Sequence, residues 1–321
     1  MSEPDFSVSV NDFFRANSAI IDSATIEVLD ATVDTSVESD ANGNLALGTD
    51  AGTGLFSNTT IGTKAGESLT LGTTNTFIGN SAGSDITSGA SNTAVGDFAM
   101  HTGTSGIGNV AVGVSCMNGG VVTGDYNVAV GAFSLNSLTS GEHNIAIGRS
   151  SLQNIDTSDN NIAIGYEALK DLSSGANNIS IGYESGANLT TPDGNTILGY
   201  QAGISVTTGA DNVYIGNTAN GTGSASQNVV IGSGATGNDE NNCVLIGYNS
   251  AVTAIESVVI GSGASCAYPG CVVLGQGATA TISGQFALGG DISRTAETVA
   301  VTGTIPCAIN GVAYKLLLGD A

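Results

Sequence analysis

The sequence predicts an all-β fold, a parallel β-solenoid of about 16 rungs, and three observations predict it. A five-residue phrase recurs: Asn, a β-branched residue, a small or apolar residue, an aliphatic residue, then Gly. Examples are NTAVG ending at Gly96, NVAVG at Gly113, and NIAIG at Gly148 and again at Gly165. The closing glycines fall at 48, 62, 79, 96, 113, 131, 148, 165, 182, 199, 216, 232, 247, 261, 275 and 289. Their spacing is 14, then mostly 17 with one 18, then 16, 15 and three of 14. The composition suits thin stacked layers: 47 Gly, no Trp, 41% hydrophobic and only 11% charged residues. A fixed period of this length marks a repeat architecture, in which one unit cannot bury its apolar face alone and the stack does so cooperatively.

Taken along the chain, residues 1–43 lack the phrase. Phe6, Val8 and Val10 alternate as in a strand, and Phe13 and Phe14 follow. This stretch is read as an attachment or trimerisation segment. Residues 44–290 carry the repeat. The residue before each marker Gly is Leu, Ile or Val in all sixteen rungs, and two places earlier sits mostly Val, Ile or Thr. Strand side chains alternate between faces, so these two columns share one face, and their β-branched character suits a buried pleated surface. The column between them is Ala in mid-chain (Ala94, Ala111, Ala129, Ala146, Ala163) and Val or Leu later (Val230, Leu245, Val259, Val273). That second face is therefore expected to be partly buried too.

The marker Gly permits a sharp corner. Three residues on, the position is Ala, Ser or Cys in fifteen of sixteen rungs, Ile292 being the exception. A column so small implies close approach of another backbone. Each rung then reads strand, turn, second short strand and loop, with the extra residues of the longer rungs bulging from a TTG-like or SSG-like loop. At about 4.8 Å per rung, fifteen steps give a rod roughly 70 Å long. The phrase-opening Asn is present in twelve consecutive rungs, Asn44 to Asn228, and includes Asn92, Asn109, Asn127, Asn144, Asn161 and Asn178. Stacked Asn side chains can hydrogen-bond along such a stack as a ladder. Residues 291–321 are read as a C-terminal β-hairpin cap. Asn310-Gly311 is a two-residue hairpin turn between Cys307–Ile309 and Val312–Leu318, and a solenoid end needs covering because its strand edges are unpaired.

The phrase resembles the head repeats of trimeric autotransporter adhesins, for instance in SVVIG ending at Gly261. The resemblance covers roughly residues 44–290. It implies a left-handed β-roll, three chains packed intertwined or side by side as a homotrimer, and a rod that binds surfaces. The signal peptide, stalk and membrane barrel of that family have no counterpart here. The IG-phrase repeats with TTG loops also resemble tail-fibre and appendage proteins of phages and large viruses. The C-terminal pattern G-x-I-P-x-x-I-x-G-x-x-Y-x-L is similar to caps of phage structural proteins. These resemblances imply a virion fibre, spike or decoration protein, joined to other virion proteins through the N-terminal segment and touching a host glycan or protein. A cellular trimeric adhesin is the alternative, and a polysaccharide-degrading enzyme the second alternative.

The remaining residues narrow the chemistry. Six Lys plus Arg stand against 28 Asp plus Glu, a formal charge of −22 that disfavours nucleic acid and anionic lipid. The N-terminus has no basic start followed by an apolar run, and no stretch reaches 18 apolar residues, so neither a secretory signal nor membrane insertion is expected. Assembly in a host cytoplasm is expected, with a cell-surface location for the adhesin alternative. There is no GxSxG, HExxH, Walker loop or CxxC, and no enzyme or cofactor is expected. Acids are scattered through the loops (Asp97, Asp125, Glu142, Asp159, Glu167, Asp171, Glu184, Asp193, Asp211), without the close pair that glycoside hydrolysis needs. His101 and His143 are read as surface residues. The five Cys form no disulfide framework: Cys266 and Cys271 flank the turn CAYPGC and can be bridged, hold half a metal site, or be free thiols in small slots. Tyr166, Tyr183 and Tyr200 each follow a marker Gly in successive rungs. They are read either as a surface-contact strip for a sugar or partner, or as packing within a trimer.

Overall fold

The computed structural model describes residues 37–39, 44–48, 50–52, 54, 56–237, 241–289, 304–309 and 312–317. The chain divides into two compact units between Gly289 and Gly290. The attachment segment read at Phe6 to Phe14 and the exception at Ile292 lie outside the described residues.

The first unit is a parallel β-solenoid, and no helix occurs among the described residues. Sixteen three-residue strands, from Leu45–Leu47 to Phe286–Leu288, stack in one sheet. Each pairs in parallel with the same phrase position one rung on, as Ile145↔Ile162, Ala146↔Ala163 and Ile147↔Ile164. A one-residue slip would exchange the two faces of every strand, so the repeated phrase fixes the register. At the N-terminal end the strand Val37–Ser39 pairs antiparallel with Leu45–Leu47, which covers one open edge of the stack. The second unit holds an antiparallel pair, Thr304–Ile309 with Val312–Leu317, in the register of a two-residue hairpin.

The faces of the main sheet are the reverse of the simplest sequence reading. In every strand the middle residue is the buried one: Ala94, Ala111, Ala129, Ala146 and Ala163 are fully enclosed, as are Phe77 and Val259. The two β-branched columns point outward and are half-buried or exposed, for example Ile147 at 38% and Leu198 at 45%. The reason lies across the rung. After Gly131, Gly148 and Gly165 the turn sends two more large side chains inward, four and seven residues on: Leu135 with Leu138, Leu152 with Ile155 and Leu169 with Leu172. An Ala in the strand leaves room for them.

Volume is traded within each rung. Where the strand offers Ala in the rungs from Ala94 to Ala163, the fourth residue past the marker is Met100, Met117, Leu135, Leu152 or Leu169, whereas the rung of Ala46 has Gly52 there. Where the strand offers Thr60, Phe77, Ser180 or Ile197, that position is Gly66, Gly83, Gly186 or Gly203. A Cβ on Gly83 would sit 2.9 Å from the Phe77 ring, and one on Gly186 2.8 Å from Ile197. Close-packed interiors require such compensation. The position has positive φ in both cases, 47–49° for the Met and Leu residues, so the large side chains carry backbone strain that their burial offsets.

Two further expectations are corrected. The extra residues of the longer rungs do not simply bulge outward, since that side of the rung carries fully buried residues such as Leu138, Ile155 and Leu172. A second short strand exists only where the rungs shorten, in a four-stranded sheet of Thr236–Gly237, Ala251–Val252, Ser265–Cys266 and Thr279–Ala280. Elsewhere among the described residues that side of the rung is made of turns. The small-residue column is buried at the corner as expected: Ser134, Ser151 and Ser250 hydroxyls donate to the carbonyls of Gly131, Gly148 and Gly247 at 2.8–2.9 Å. The fifteen marker glycines from Gly48 to Gly275 have φ of +113 to +153°, and a Cβ on Gly148 would lie 2.4 Å from the Gly165 oxygen.

Candidate functional site

Three longitudinal features run up the solenoid, and each is built by repeating one position at rung spacing. The first is the Asn ladder, which is internal. Asn144 shows the unit: its Oδ1 accepts the Asn161 backbone N–H at 3.0 Å and the Asn161 amide at 3.2 Å. Its own Nδ2 donates to Asn127 Oδ1 at 3.2 Å and to the Ser158 carbonyl at 2.7 Å. Asn92, Asn109, Asn127, Asn161 and Asn178 repeat the backbone link, with N–H to Oδ1 distances of 2.8–3.0 Å. All are buried. The ladder satisfies loop carbonyls and strand amides that would otherwise be orphaned. Beyond Asn228 other residues take the column: Cys243 N–H donates to Asn228 Oδ1 at 2.9 Å, and the Cys243, Ser257 and Cys271 side chains donate to the carbonyls of Ala254, Tyr268 and Ile282.

The second feature is the aromatic strip. Tyr166, Tyr183 and Tyr200 stack face to face, with centroids 5.1 and 5.2 Å apart and ring planes within 12°. Tyr183 and Tyr200 are exposed. The Arg149 guanidinium lies 5.9 Å over the Tyr166 ring and continues the stack by one rung. Hydrogen bonds from the phenols to Glu167 and Glu184 raise the Tyr166 and Tyr183 pKa, and the bond from Tyr166 lowers that of Glu167. Gln201 donates to Glu184 at 2.7 Å and Lys170 to Glu167 at 3.1 Å. Because the ring faces are occupied by one another, the strip presents edges, hydroxyls and carboxylates. Arg149, Gln201 and Lys170 were not singled out from the sequence, although Arg149 occupies the Tyr column one rung earlier.

The third feature is the outward face of the main sheet, one residue from the Tyr column. Of its 32 positions, 28 are Val, Ile, Leu or Phe and the other four are Thr59, Thr76, Thr93 and Thr196. No charge interrupts it, in a chain of formal charge −22. Fifteen steps of about 4.8 Å and a strand about 10 Å wide give an apolar strip of roughly 700 Å². The largest patch on a typical monomer is about 300–600 Å².

The loop acids have structural employment. Asp125, Asp159 and Asp193 accept the backbone N–H groups of Ile107, Glu142 and Ala176 one rung back, each at 2.7 Å. Asp97 and Asp171 accept from Asn80 and Asn154. His101 packs on Phe98 and His143 stacks on Tyr126. Cys116, Cys243, Cys266 and Cys271 are buried thiols, and burial pushes the Cys116 thiol up to about 12. Among the described residues no cluster of His, Cys, Asp and Glu could hold a metal ion, and no helix is long and apolar enough to cross a membrane. No protein-family model and no curated protein matches the chain.

Proposed function

We propose that this chain is a virion structural appendage, the rigid rod of a fibre, spike or decoration protein, assembled as a homotrimer through the uncharged face of its main sheet. The observation that carries this reading is that face: an apolar strip of about 700 Å² per chain is close to the share each partner contributes to a stable interface. Three identical flat sheets around a threefold axis would bring the same rung of each copy to the same level, so the aliphatic columns would meet their own kind. The Ala and Leu core is already complete within one chain, which leaves the outer columns free for this use. The function is passive: the rod sets reach, and three copies give avidity toward a weakly held host glycan or protein. Residues 1–43 would join it to other virion proteins. Catalysis, a cofactor and nucleic-acid binding form no part of the proposal. The same rod would serve a cell-surface adhesin, a reading favoured by the phrase ending at Gly261.

Light scattering coupled to gel filtration tests the assembly. The expected mass is about 95 kDa, three times 31.6 kDa. Ile147→Lys and Ile181→Lys place a charge on the outer face at positions already solvent-exposed. They should leave the fold intact by circular dichroism and give a mass near 32 kDa. A wild-type monomer of that mass would refute the trimer. Immunogold labelling of purified particles against labelling of cell surfaces separates the virion reading from the adhesin.

A further inference from the structure

We propose that Cys266 and Cys271 are an oxidation site, a dithiol that closes to a disulfide within a single rung and staples the second sheet to the main one. Cys266 ends the strand Ser265–Cys266 of the small sheet, and Cys271 precedes the strand Val272–Leu274 of the main sheet. Both side chains are buried, while the four residues between them, Ala267 to Gly270, are exposed. The two cysteines share a neighbour below: Ser257 Oγ lies 3.8 Å from Cys266 Sγ and accepts the Cys271 N–H at 3.3 Å. In the flanking rungs the same two columns hold Val252 with Ser257 and Ala280 with Gln285, so this rung alone among the three pairs two sulfurs.

At rest each thiol is satisfied, Cys266 donating to the Tyr268 carbonyl at 2.9 Å and Cys271 to that of Ile282 at 3.3 Å. Burial disfavours the thiolate in the closed rung, so exchange proceeds when the exposed turn opens. The oxidant is a small-molecule disulfide. One thiolate attacks it, breaking its S–S bond and releasing one thiol as a mixed disulfide forms. The second thiolate then displaces the other half. One S–S bond is made in the chain and one broken in the reagent, two electrons pass to the reagent, and both protons end on its two thiols. Closing a loop of six residues should make opening of the rung about 40-fold rarer. Under the virion reading, which this consequence alone rests on, the bond would form as a particle leaves a reducing cell and would lock the last rungs of the rod.

The test equilibrates the purified full chain in an oxidising glutathione buffer, with enough urea to permit opening, then quenches with acid, alkylates under denaturing conditions and maps the peptides by mass. Two of the five Cys should escape alkylation, with a mass lower by two hydrogens and a peptide joined between 266 and 271. Cys116 and Cys243 should be alkylated. Cys266→Val and Cys271→Ser, which copy the flanking rungs, should each fold and abolish the link. Hydrogen exchange in 267–270 should slow on oxidation in the wild type and in neither variant. Glutathione adducts without the link, a bridge to another Cys, or full alkylation of both thiols would each overturn the site. None of these readings depends on where the protein resides.

Discussion

Replacing Asn144 tests whether the internal ladder holds the rungs together or merely accompanies them. Asn144→Ala removes four side-chain hydrogen bonds, and two groups are then left without a substitute: the Asn161 backbone N–H and the Ser158 carbonyl. The Asn161 amide keeps Gly175 and Asp159, and Asn127 Oδ1 keeps the Asn144 backbone N–H. Two buried orphans at about 1–3 kcal/mol each give a cost of about 2–6 kcal/mol. Asn144→Ser should cost less, because Ser257 already fills this column and makes both links, accepting from Cys271 N–H and donating to the Tyr268 carbonyl. Asn144→Asp should be the worst at pH 7, since a carboxylate would face the Ser158 carbonyl and Asn127 Oδ1, both acceptors. The folded chain would then raise the Asp pKa above its unfolded value of about 3.9. The protonated form is the one the fold accepts, so stability should be recovered below pH 4 and lost as pH rises. Urea denaturation of the three variants, with hydrogen exchange read at residues 158–165, measures the order. A cost below about 0.5 kcal/mol for Ala, or an Asp variant as stable as Asn at pH 7, would refute the ladder as a source of cohesion.

Other outcomes follow from the packing. Phe77→Ala should cost about 3–5 kcal/mol as a cavity. Gly83→Leu alone should clash with the Phe77 ring, yet the double variant recreates the Ala146 with Leu152 arrangement. A double-mutant cycle by urea titration should therefore show the pair less destabilised than the sum of the singles. Gly148→Ala drives a Cβ to 2.4 Å from the Gly165 oxygen and should abolish soluble expression, whereas Gly263→Ala meets nothing within 4 Å and should cost only about 1 kcal/mol for its positive φ. Cys116 titrates at about 12 when folded, against 9.0 for an ordinary thiol. Stability should therefore fall as pH rises above 9, and Cys116→Ala should flatten that slope in thermal melts taken from pH 8 to 11.

The fold was legible because its register is written in the sequence. Each marker Gly and each Asn had a column, and pairing such as Ala129↔Ala146 follows from the phrase alone. The corner column of Ala, Ser and Cys and the antiparallel pairing of Thr304–Ile309 with Val312–Leu317 were equally readable. The turn residues were not. Leu135, Leu152 and Leu169 sit at positive φ, where a branched hydrophobic residue is the last one expected, so nothing in local propensity marks them as core. Their signal was their anticorrelation with strand size, Ala with Leu and Phe with Gly, which appears only when two columns are compared. Tyr166, Tyr183 and Tyr200 could be placed in one column, but not the orientation of their rings, and that orientation decides what they can bind.

The inverted face is the most informative departure. Periodicity says which residues share a side of a strand and is silent on which side is inside. The β-branched columns looked like the core because they are the most apolar, yet a rung only a few residues across has room for Ala on the strand once Leu and Ile enter from the turn. Burying the aliphatic columns instead would leave Leu152 and Ile155 without a cavity and would turn Ala146 to solvent. The chain therefore places Ala inward from Ala94 to Ala163 and its aliphatic columns outward in all sixteen rungs, with every charge kept off that face. A monomer gains nothing from this arrangement and would risk aggregation along it. An assembly in register, as proposed above, would cover that face.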